Sequence, residues 1–215
     1  MKISYGITVH NEVDELERLL SKLLVGINEQ DEVIICVDGN HEGVKNVIEL
    51  YSIDSRVIYY NRKLDGNFAD HKNSVIEKSS GDFIFHIDAD EYPSKTLLEQ
   101  LPQIVEMNDV DLIWIPRVNT IEGMTEEHIK RWGWRVTENR WVNYPDYQAR
   151  VFRRDSDIRW TRPLHEHIVG CKTYSHLPPH EELSLYHPKT IEKQEKQNLF
   201  YNQNFSRELN VRRGV

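Results

Sequence analysis

Three acidic residues lie directly after an apolar segment, and their types and spacing are suited to metal chemistry. Residues 83–87 are typical of a buried strand, and Asp88, Asp90 and Glu91 follow it. Carboxylates this close together repel one another unless positive charge lies between them. Oxygen ligands favour Mg²⁺ or Mn²⁺ over a softer metal. The residues alone leave two interpretations open, a divalent-metal site and a solvated acidic turn.

Other residues that could bind a ligand also lie where a predicted strand ends. Thr8, Asn11 and Glu12 surround the start of a predicted helix, whose backbone N–H groups could face phosphate or ribose oxygens. Asp38 follows the second predicted strand and could accept a hydrogen bond from a nucleobase or a sugar hydroxyl. The competing explanations are an ordinary helix cap at Asn11 and a turn formed by Asp38 with Gly39.

Basic side chains in two further segments could neutralise a phosphorylated ligand. Lys72 and Asn73 fall in the first turns of a predicted helix, where Lys72 could face a diphosphate. Arg150 lies in a segment that alternates polar and apolar residues, like a half-exposed strand, and could hold phosphate or acceptor groups. The alternative for Lys72 is an exposed helical lysine without a special role.

Two histidines and a glutamate alternate near residue 166. In a regular strand His165 and His167 would share one face and Glu166 would lie on the other. A further histidine, His187, precedes a proline. Each lone histidine is more often structural than catalytic, and the cysteines lack the spacing of zinc ligands.

Strand and helix signals alternate through the first half of the chain. This alternation predicts an α/β fold in which a Rossmann-like, mostly parallel sheet is flanked by helices. Ligands of such sheets bind at the carboxyl ends of the strands, where Asp38, Asp88 and Asp90 fall. The predicted strands are residues 3–9, 33–37, 57–60 and 83–87, and the predicted helices are residues 12–25, 43–51, 68–78 and 94–107.

The second half has shorter and weaker signals, which predict a smaller β-rich lobe. The predicted strands are residues 112–115, 148–152, 158–160, 165–169 and 183–186, followed by a charged helix at residues 190–209. Because there is no internal repeat or low-complexity linker, we expect a single domain over residues 1–215. Its parts are residues 1–110, residues 111–190 and a C-terminal helix in residues 191–215.

The composition is that of a globular protein and restricts the partners. Of the 215 residues, 39% are hydrophobic and 29% are charged, and the net charge is −8, so nucleic-acid binding is not expected. No apolar run approaches the roughly 20 residues that span a bilayer, and the polar start is not a signal peptide. Cys36 and Cys171 make no disulfide framework, which favours a cytoplasmic setting. Peripheral attachment to the inner face of a membrane stays open.

Taken in order, these segments resemble the family-2 glycosyltransferases over about residues 2–190. ITVHNEVDELERLL is similar to the family's first strand, polar turn and helix. CVDGN resembles its nucleobase-contacting aspartate, and NFADHKN its helix with a basic residue followed by Asn. FIFHIDADE resembles the Asp-x-Asp metal motif of the small bacterial lipopolysaccharide-core and surface-polysaccharide glucosyltransferase branch. YQARVFRR and LHEHI resemble that branch's Arg-Leu-Phe-Arg segment and His-Glu motif. The Gln-x-x-Arg-Trp motif of processive members is absent.

The resemblance implies a GT-A fold and inverting, non-processive transfer of a hexose from a nucleotide sugar. A UDP-sugar is the favoured donor, and a glycan or lipid-linked saccharide is the expected acceptor. Residues 1–110 would bind the donor and residues 111–190 the acceptor.

The resemblance also implies roles for the candidate residues. Mn²⁺ or Mg²⁺ would be held by Asp88 and Asp90, with His165 or His187 completing the metal sphere. Glu166 is the preferred catalytic base, because a carboxylate is competent at neutral pH, and Glu91 and His165 are the alternatives. The donor-binding residues would be Thr8, Asn11, Glu12, Asp38, Lys72, Asn73, Asp88, Ala89 and Arg150.

Two other functions stay open from the sequence. A nucleotidyltransferase acting on a sugar phosphate would share the sheet and the acidic metal ligands. It would normally have a glycine-rich phosphate loop near the first strand, where Gly6 is the only glycine in the first 25 residues. An inactive glycosyltransferase-like domain could bind glycans by stacking tryptophans on sugar rings. The intact Asp-x-Asp pattern favours the enzyme.

Overall fold

A computed structural model describes residues 1–155 and 157–206 of the chain. Its strands are β1 (Ile3–Val9), β2 (Glu32–Val37), β3 (Val57–Asn61), β4 (Phe83–Asp88), β5 (Tyr92–Pro93), β6 (Leu112–Ile115), β7 (Arg117–Glu122), β8 (Gln148–Arg153), β9 (Arg159–Thr161), β10 (His167–Val169), β11 (Tyr174–His176) and β12 (Leu185–Thr190). Its helices are α1 (Val13–Gly26), α2 (Glu42–Tyr51), α3 (Phe68–Lys78), α4 (Lys95–Asn108), α5 (Glu126–Trp132) and α6 (Ile191–Asn204).

Seven strands form the central sheet in the order β11-β6-β8-β4-β1-β2-β3. β1 pairs in parallel with β2 and β4, whereas β8 runs antiparallel between β4 and β6. Residues of β1, β2 and β4 are almost all buried, as expected for strands covered on both faces. The register sets Thr8 beside both Asp88 and Cys36, so the carboxyl ends of these three strands meet at one edge.

The helices pack on this sheet through apolar faces. Leu16, Leu19, Leu20 and Leu23 of α1 are buried, and their spacing places them on one side of the helix. They share the main core with residues of α2 and α4. Because residues of β2 alternate between this core and a cluster with Val75, α3 lies on the opposite face of the sheet.

Two small sheets form the β-rich lobe. β12 lies between β5 and β7, and β9 pairs with β10. β12 runs directly into α6, which Thr190 caps by accepting a hydrogen bond from the Lys193 N–H. The mostly parallel central sheet, its helices and this smaller lobe confirm the predicted α/β fold.

Several boundaries in the second half differ from the prediction. The strand predicted at residues 165–169 begins at His167, because His165 has a left-handed backbone with a φ of 50°. In place of the strand predicted at residues 183–186 there are a 3₁₀ turn (Glu181–Leu183) and the later strand β12. The predicted terminal helix ends at Asn204, and its part beyond residue 206 lies outside the described residues. In the described ranges, no helix has both the length and the apolar character needed to cross a bilayer.

Candidate active site

Asp38 lies at the carboxyl end of β2 and contacts the loops that follow β1 and β3. Its Oδ1 accepts a hydrogen bond from the backbone N–H of Leu64 at 2.9 Å, and its Oδ2 lies 3.2 Å from His10 Nδ1. The loops after β1 and β3 therefore meet at this carboxylate. This edge of a parallel sheet is where ligands bind.

The turn after β1 is held by Glu12. Glu12 Oε2 accepts hydrogen bonds from the backbone N–H groups of His10 and Asn11, at 2.9 and 3.1 Å. α1 begins at Val13, and Glu12 rather than Asn11 occupies the cap position. The alternative of an Asn11 cap is therefore wrong, and the donor contacts of Thr8, Asn11 and Glu12 stay predictions.

Asp88 at the end of β4 lies between two cationic side chains. Arg150 Nη2 donates to Asp88 Oδ2 at 2.5 Å, and Lys72 Nζ lies 3.2 Å from Oδ1. Burial alone would raise the pKa of Asp88, but Arg150 and Lys72 outweigh burial and hold this pKa well below its usual range. Asp88 is therefore ionised, and its charge is already compensated.

Lys72 connects Asp88 to Glu166. Lys72 is buried, its Nζ lies 2.5 Å from Glu166 Oε1, and the ammonium group lies 4.7 Å from the centre of the Trp160 ring. Burial opposes the charge of Lys72, but the two carboxylates raise its pKa above the ordinary value. Burial also opposes ionisation of Glu166, whose pKa Lys72 nevertheless lowers. Lys72 is therefore not the exposed lysine of the alternative, and its contact with a diphosphate stays a prediction.

Asn73 joins α3 to β9. Its Nδ2 donates to the carbonyl oxygen of Trp160 and its Oδ1 accepts from the Trp160 N–H, both at 2.9 Å. Both ends of the carboxamide thus hold the strand whose Trp160 ring lies against Lys72. This arrangement gives Asn73 a positioning role, and the donor contact predicted for it stays a prediction.

Asp90 faces a second group of basic side chains. Its Oδ2 lies 3.4 Å from His187 Nε2, 3.6 Å from Lys193 Nζ and 3.8 Å from Lys189 Nζ. Burial would raise the pKa of Asp90, but His187 in its protonated form and the two lysines lower it. Ala89, between the two aspartates, is buried in the main core, so the donor contact predicted for it would have to use its backbone.

Glu91 is almost fully enclosed, with a relative exposure of 1%. Its Oε1 accepts hydrogen bonds from Arg117 Nη1 at 2.6 Å and from Arg150 Nη2 at 2.7 Å. A general base must come within hydrogen-bonding reach of a substrate proton. A carboxylate enclosed by two guanidinium groups holds these arginines in place, which argues against Glu91 as the base.

The three residues around Glu166 face different surroundings. The His165 ring lies edge-on to Tyr201 of α6 with a centroid distance of 5.8 Å, whereas His167 is exposed. Glu166 faces Lys72. The metal and catalytic roles of His165 stay predictions.

The hydrogen bonds of His187 orient it towards a cation. Asn119 Nδ2 donates to Asp146 Oδ2 at 2.9 Å, so the other amide atom, Oδ1, is the acceptor for His187 Nδ1 at 2.7 Å. In the neutral ring, which burial favours by lowering the pKa of His187, Nε2 then points a lone pair at Asp90. Two acceptors that face each other are suited to a cation between them, and such an outer partner is typical of a metal-binding histidine.

The donor set fits Mn²⁺ or Mg²⁺ bound together with phosphates. Asp90 and His187 supply oxygen and nitrogen donors, and Asp88 is a further carboxylate nearby in sequence. Among residues 1–155 and 157–206, no three His, Cys, Asp or Glu side chains form a preformed metal cage. Mg²⁺ commonly binds through one or two carboxylates and the phosphates of a substrate, so a complete protein cage is not required.

Six residues of this site were not singled out by the sequence patterns. Trp160 carried the only available signal, as one of several tryptophans near arginines. Lys189 and Lys193 are four residues apart in the sequence. This spacing indicates a shared role only once both are seen to face Asp90 after β4. The six residues are Arg117, Asn119, Asp146, Trp160, Lys189 and Lys193.

Comparison with known sequences identifies relatives of this chain. The sequence model described as glycosyl transferase family 2 matches residues 4–177. A glycosyltransferase of Rickettsia bellii (strain RML369-C), described as uncharacterized, is 31% identical over 108 residues, which are 50% of this chain and 16% of that protein. The SPbeta prophage-derived glycosyltransferase SunS of Bacillus subtilis (strain 168) is 23% identical over 191 residues, which are 86% of this chain and 39% of SunS. The chain thus spans less than half the length of these two relatives.

Comparison with solved structures shows a similar fold in S. aureus TarS. TarS 1-349 in complex with UDP-GlcNAc has a TM-score of 0.62 at 16% identity, over 88% of this chain and 59% of that one. Another crystal structure of TarS 1-349 has a TM-score of 0.61 at 16% identity, over 87% of this chain and 60% of that one. At this identity the similarity concerns the fold, and it agrees with the GT-A arrangement.

The matched residues 4–177 include the strand ends at Asp38 and Asp88, and also Lys72, Arg150 and Glu166. The match confirms the resemblance drawn from the motifs. The chain belongs to glycosyl transferase family 2.

Proposed function

We propose that this chain transfers a hexose from a UDP-sugar to a hydroxyl group of a glycan or lipid-linked saccharide, non-processively and with inversion. The observation that carries the proposal is the pair of aspartates at the end of β4, each held among basic side chains of other elements. Family membership supports a nucleotide-sugar donor. The TarS structures with UDP and with UDP-GlcNAc support a uridine nucleotide.

The donor would lie along the carboxyl ends of β1, β2 and β4. Asp38 would contact the nucleobase, and the start of α1 would face the ribose or a phosphate. Lys72 and Arg150, which compensate Asp88, would supply positive charge to the diphosphate. When the donor binds, these two cations would exchange part of their contact with Asp88 for phosphate oxygens.

Mn²⁺ or Mg²⁺ held by Asp90 and His187, with Asp88 as a further ligand, would stabilise the negative charge of the departing diphosphate. Asp146 and Asn119 hold His187 in the tautomer that this role requires. Asp90 would stay ionised over the whole neutral range, because its neighbours lower its pKa.

Glu166 is our candidate for the base that removes the proton of the acceptor hydroxyl. Lys72 lowers the pKa of Glu166, so the side chain is a carboxylate at neutral pH and able to accept a proton. Glu166 also pairs with Lys72, which in turn faces Asp88, and these contacts support a base near the proposed donor site. We expect Glu166→Gln to abolish transfer and to leave UDP binding within about threefold of the original, a loss under about 1 kcal/mol.

A screen of UDP-hexoses tests the proposal, with UDP release measured with and without Mn²⁺ or Mg²⁺. We expect release from at least one UDP-sugar, only with metal, and faster release when a hydroxyl acceptor is added. Absence of nucleotide-sugar turnover and of UDP binding would contradict the proposal. Pyrophosphate release from a nucleoside triphosphate and a sugar phosphate would instead support a nucleotidyltransferase, and glycan binding without nucleotide binding would support an inactive domain.

The cellular location of the protein and the acceptor of the whole protein belong to the same proposal. A cytoplasmic enzyme attached peripherally to the inner face of a membrane would meet lipid-linked saccharides there. Fractionation of cells into soluble and membrane pools measures this, and the protein is expected in both.

A further inference from the structure

One side of α6 is polar and lies towards the acidic end of β4. Lys193, Gln197 and Tyr201 follow at four-residue spacing, which places them on the same side of the helix. Lys193 Nζ lies 2.8 Å from Glu15 Oε1 and 3.6 Å from Asp90 Oδ2. Gln197 donates to Tyr201 Oη at 3.0 Å. This side of the helix forms a wall beside Asp90.

Lys189 and Lys193 bring two ammonium groups towards one carboxylate oxygen. Their distances of 3.8 and 3.6 Å from Asp90 Oδ2 exceed the roughly 2.7–2.9 Å of a charge-assisted hydrogen bond. Each ammonium group has three N–H donors. Within the described residues, Lys189 donates to Gln197 at 2.9 Å and Lys193 to Glu15 at 2.8 Å. Both groups therefore retain donors for an anion next to Asp90.

The fold delivers both lysines from a segment that the family match does not include. The match ends at residue 177, whereas these lysines lie on β12 and α6. β12 pairs in parallel with β7, and His187, two positions before Lys189, faces the same aspartate. Residues two apart on a strand point to the same side. Residues outside the matched region thus complete the surroundings of Asp90 at the carboxyl end of β4.

We propose that Lys189 and Lys193 bind the diphosphate of the nucleotide donor, so that α6 forms one wall of the donor site. This inference rests on the proposed function, because its ligand is the proposed donor. A diphosphate beside Asp90 brings negative charge next to a carboxylate, which repels it unless cations lie at the same place. The two ammonium groups already lie there, attracted to Asp90 but not directly bonded to it.

Calorimetric titration of the whole chain with UDP in the presence of Mn²⁺ tests the inference. Lys193→Gln removes a charge at a half-buried position, and we expect UDP to bind about tenfold more weakly, as for loss of one charged hydrogen bond. Lys193→Arg should restore most of the affinity. Lys189→Gln should weaken UDP binding to a similar extent. Because Lys189 is more buried than Lys193, the melting temperature of Lys189→Gln is measured to check that this variant is folded. Uridine, which lacks the diphosphate, should bind equally to the original protein and to Lys193→Gln.

Two control variants separate phosphate binding from a structural role. Glu15→Gln breaks the ion pair between Glu15 and Lys193 but keeps Lys193. Lys196→Gln changes an exposed lysine elsewhere on α6. We expect both to bind UDP within about twofold of the original protein. An equal loss in Lys193→Gln and Glu15→Gln would mean that Lys193 only fastens α6, and unchanged UDP affinity in both lysine variants would overturn the inference as well. If the original protein binds no UDP, the proposed function fails together with this inference.

Discussion

The Lys72 ammonium group and the Glu166 carboxylate form a buried ion pair, with 2.5 Å between Nζ and Oε1. The pair joins α3 to the segment that precedes β10, and Asp88 lies 3.2 Å from the same nitrogen. The ammonium group therefore faces two carboxylates, of which Asp88 is also paired with Arg150. Removing one partner of a buried pair is costly because it leaves the other charge uncompensated, so we expect loss of Lys72 to destabilise the fold.

Lys72→Met should lower the free energy of unfolding by about 3 kcal/mol, because Asp88 and Glu166 would then face each other without the ammonium group. Urea denaturation at neutral pH measures this loss. The double variant Lys72→Met/Glu166→Gln removes one of the two charges and should recover part of the stability. A double variant that is no more stable than Lys72→Met would contradict the charge explanation.

Asn119→Leu should weaken metal binding without touching the metal ligands themselves. It removes the acceptor that fixes His187 Nδ1, and loss of such an outer partner commonly costs about 10–100-fold in metal affinity. Titration of Mn²⁺ followed by electron paramagnetic resonance measures the affinity directly. In the presence of a chelator, the original protein and Asn119→Leu should bind UDP with the same affinity. Unchanged Mn²⁺ affinity would show that the orientation of His187 does not matter for the metal.

Asn73→Ala distinguishes a positioning residue from a donor ligand. Loss of the two hydrogen bonds to the Trp160 backbone should lower the free energy of unfolding by about 2 kcal/mol. Thermal melting and UDP titration are to be measured on the same samples. Native stability combined with a large loss of UDP affinity would instead support the direct donor contact predicted from the sequence.

Glu32 should make the fold sensitive to acid. Its carboxylate accepts hydrogen bonds from Lys2 Nζ, Ser4 Oγ and the Ser80 N–H, each at 2.6 Å. Burial would raise the pKa of Glu32, but these bonds outweigh burial and lower the pKa to about 2. Because the folded-state pKa lies below the unfolded-state value, the stabilisation is present above the unfolded pKa and is lost as the pH falls towards about 2.

Glu32→Gln should therefore be less stable than the original protein by about 3 kcal/mol at neutral pH. The difference should shrink as the pH is lowered from about 5 to about 2, because the original carboxyl group then becomes protonated. Urea denaturation at a series of pH values measures both. A stability difference that does not change with pH would rule out this assignment.

The first half of the fold could be predicted because its signals are local. The buried leucines of α1 follow one helix face, and the apolar residues of β4 end at Asp88, so element type and the position of the acidic pair are both visible in the sequence. The strand ends then follow from the parallel sheet. The family motifs added the order of these elements.

The partners of the acidic residues could not be predicted, because they come from distant parts of the chain. Arg117 reaches Glu91 only once β7 lies beside β12, and Lys193 reaches Asp90 only through the turn from β12 into α6. Burial of Lys72 likewise depends on Trp160, which lies far from it in sequence. The alternating pattern predicts a strand from residue 165, but the left-handed backbone of His165 delays the start of that strand to His167.

UDP binding by Asp90→Asn tests most directly the claim that the end of β4 binds the metal and the donor diphosphate. The substitution keeps the shape of the side chain and removes the charge that faces His187, Lys189 and Lys193. Calorimetry with and without Mn²⁺ should show that Mn²⁺ strengthens UDP binding by the original protein. Asp90→Asn should lose that gain, by about tenfold or more in affinity, while it stays folded. Equal UDP affinity in both proteins, with and without Mn²⁺, would contradict the account.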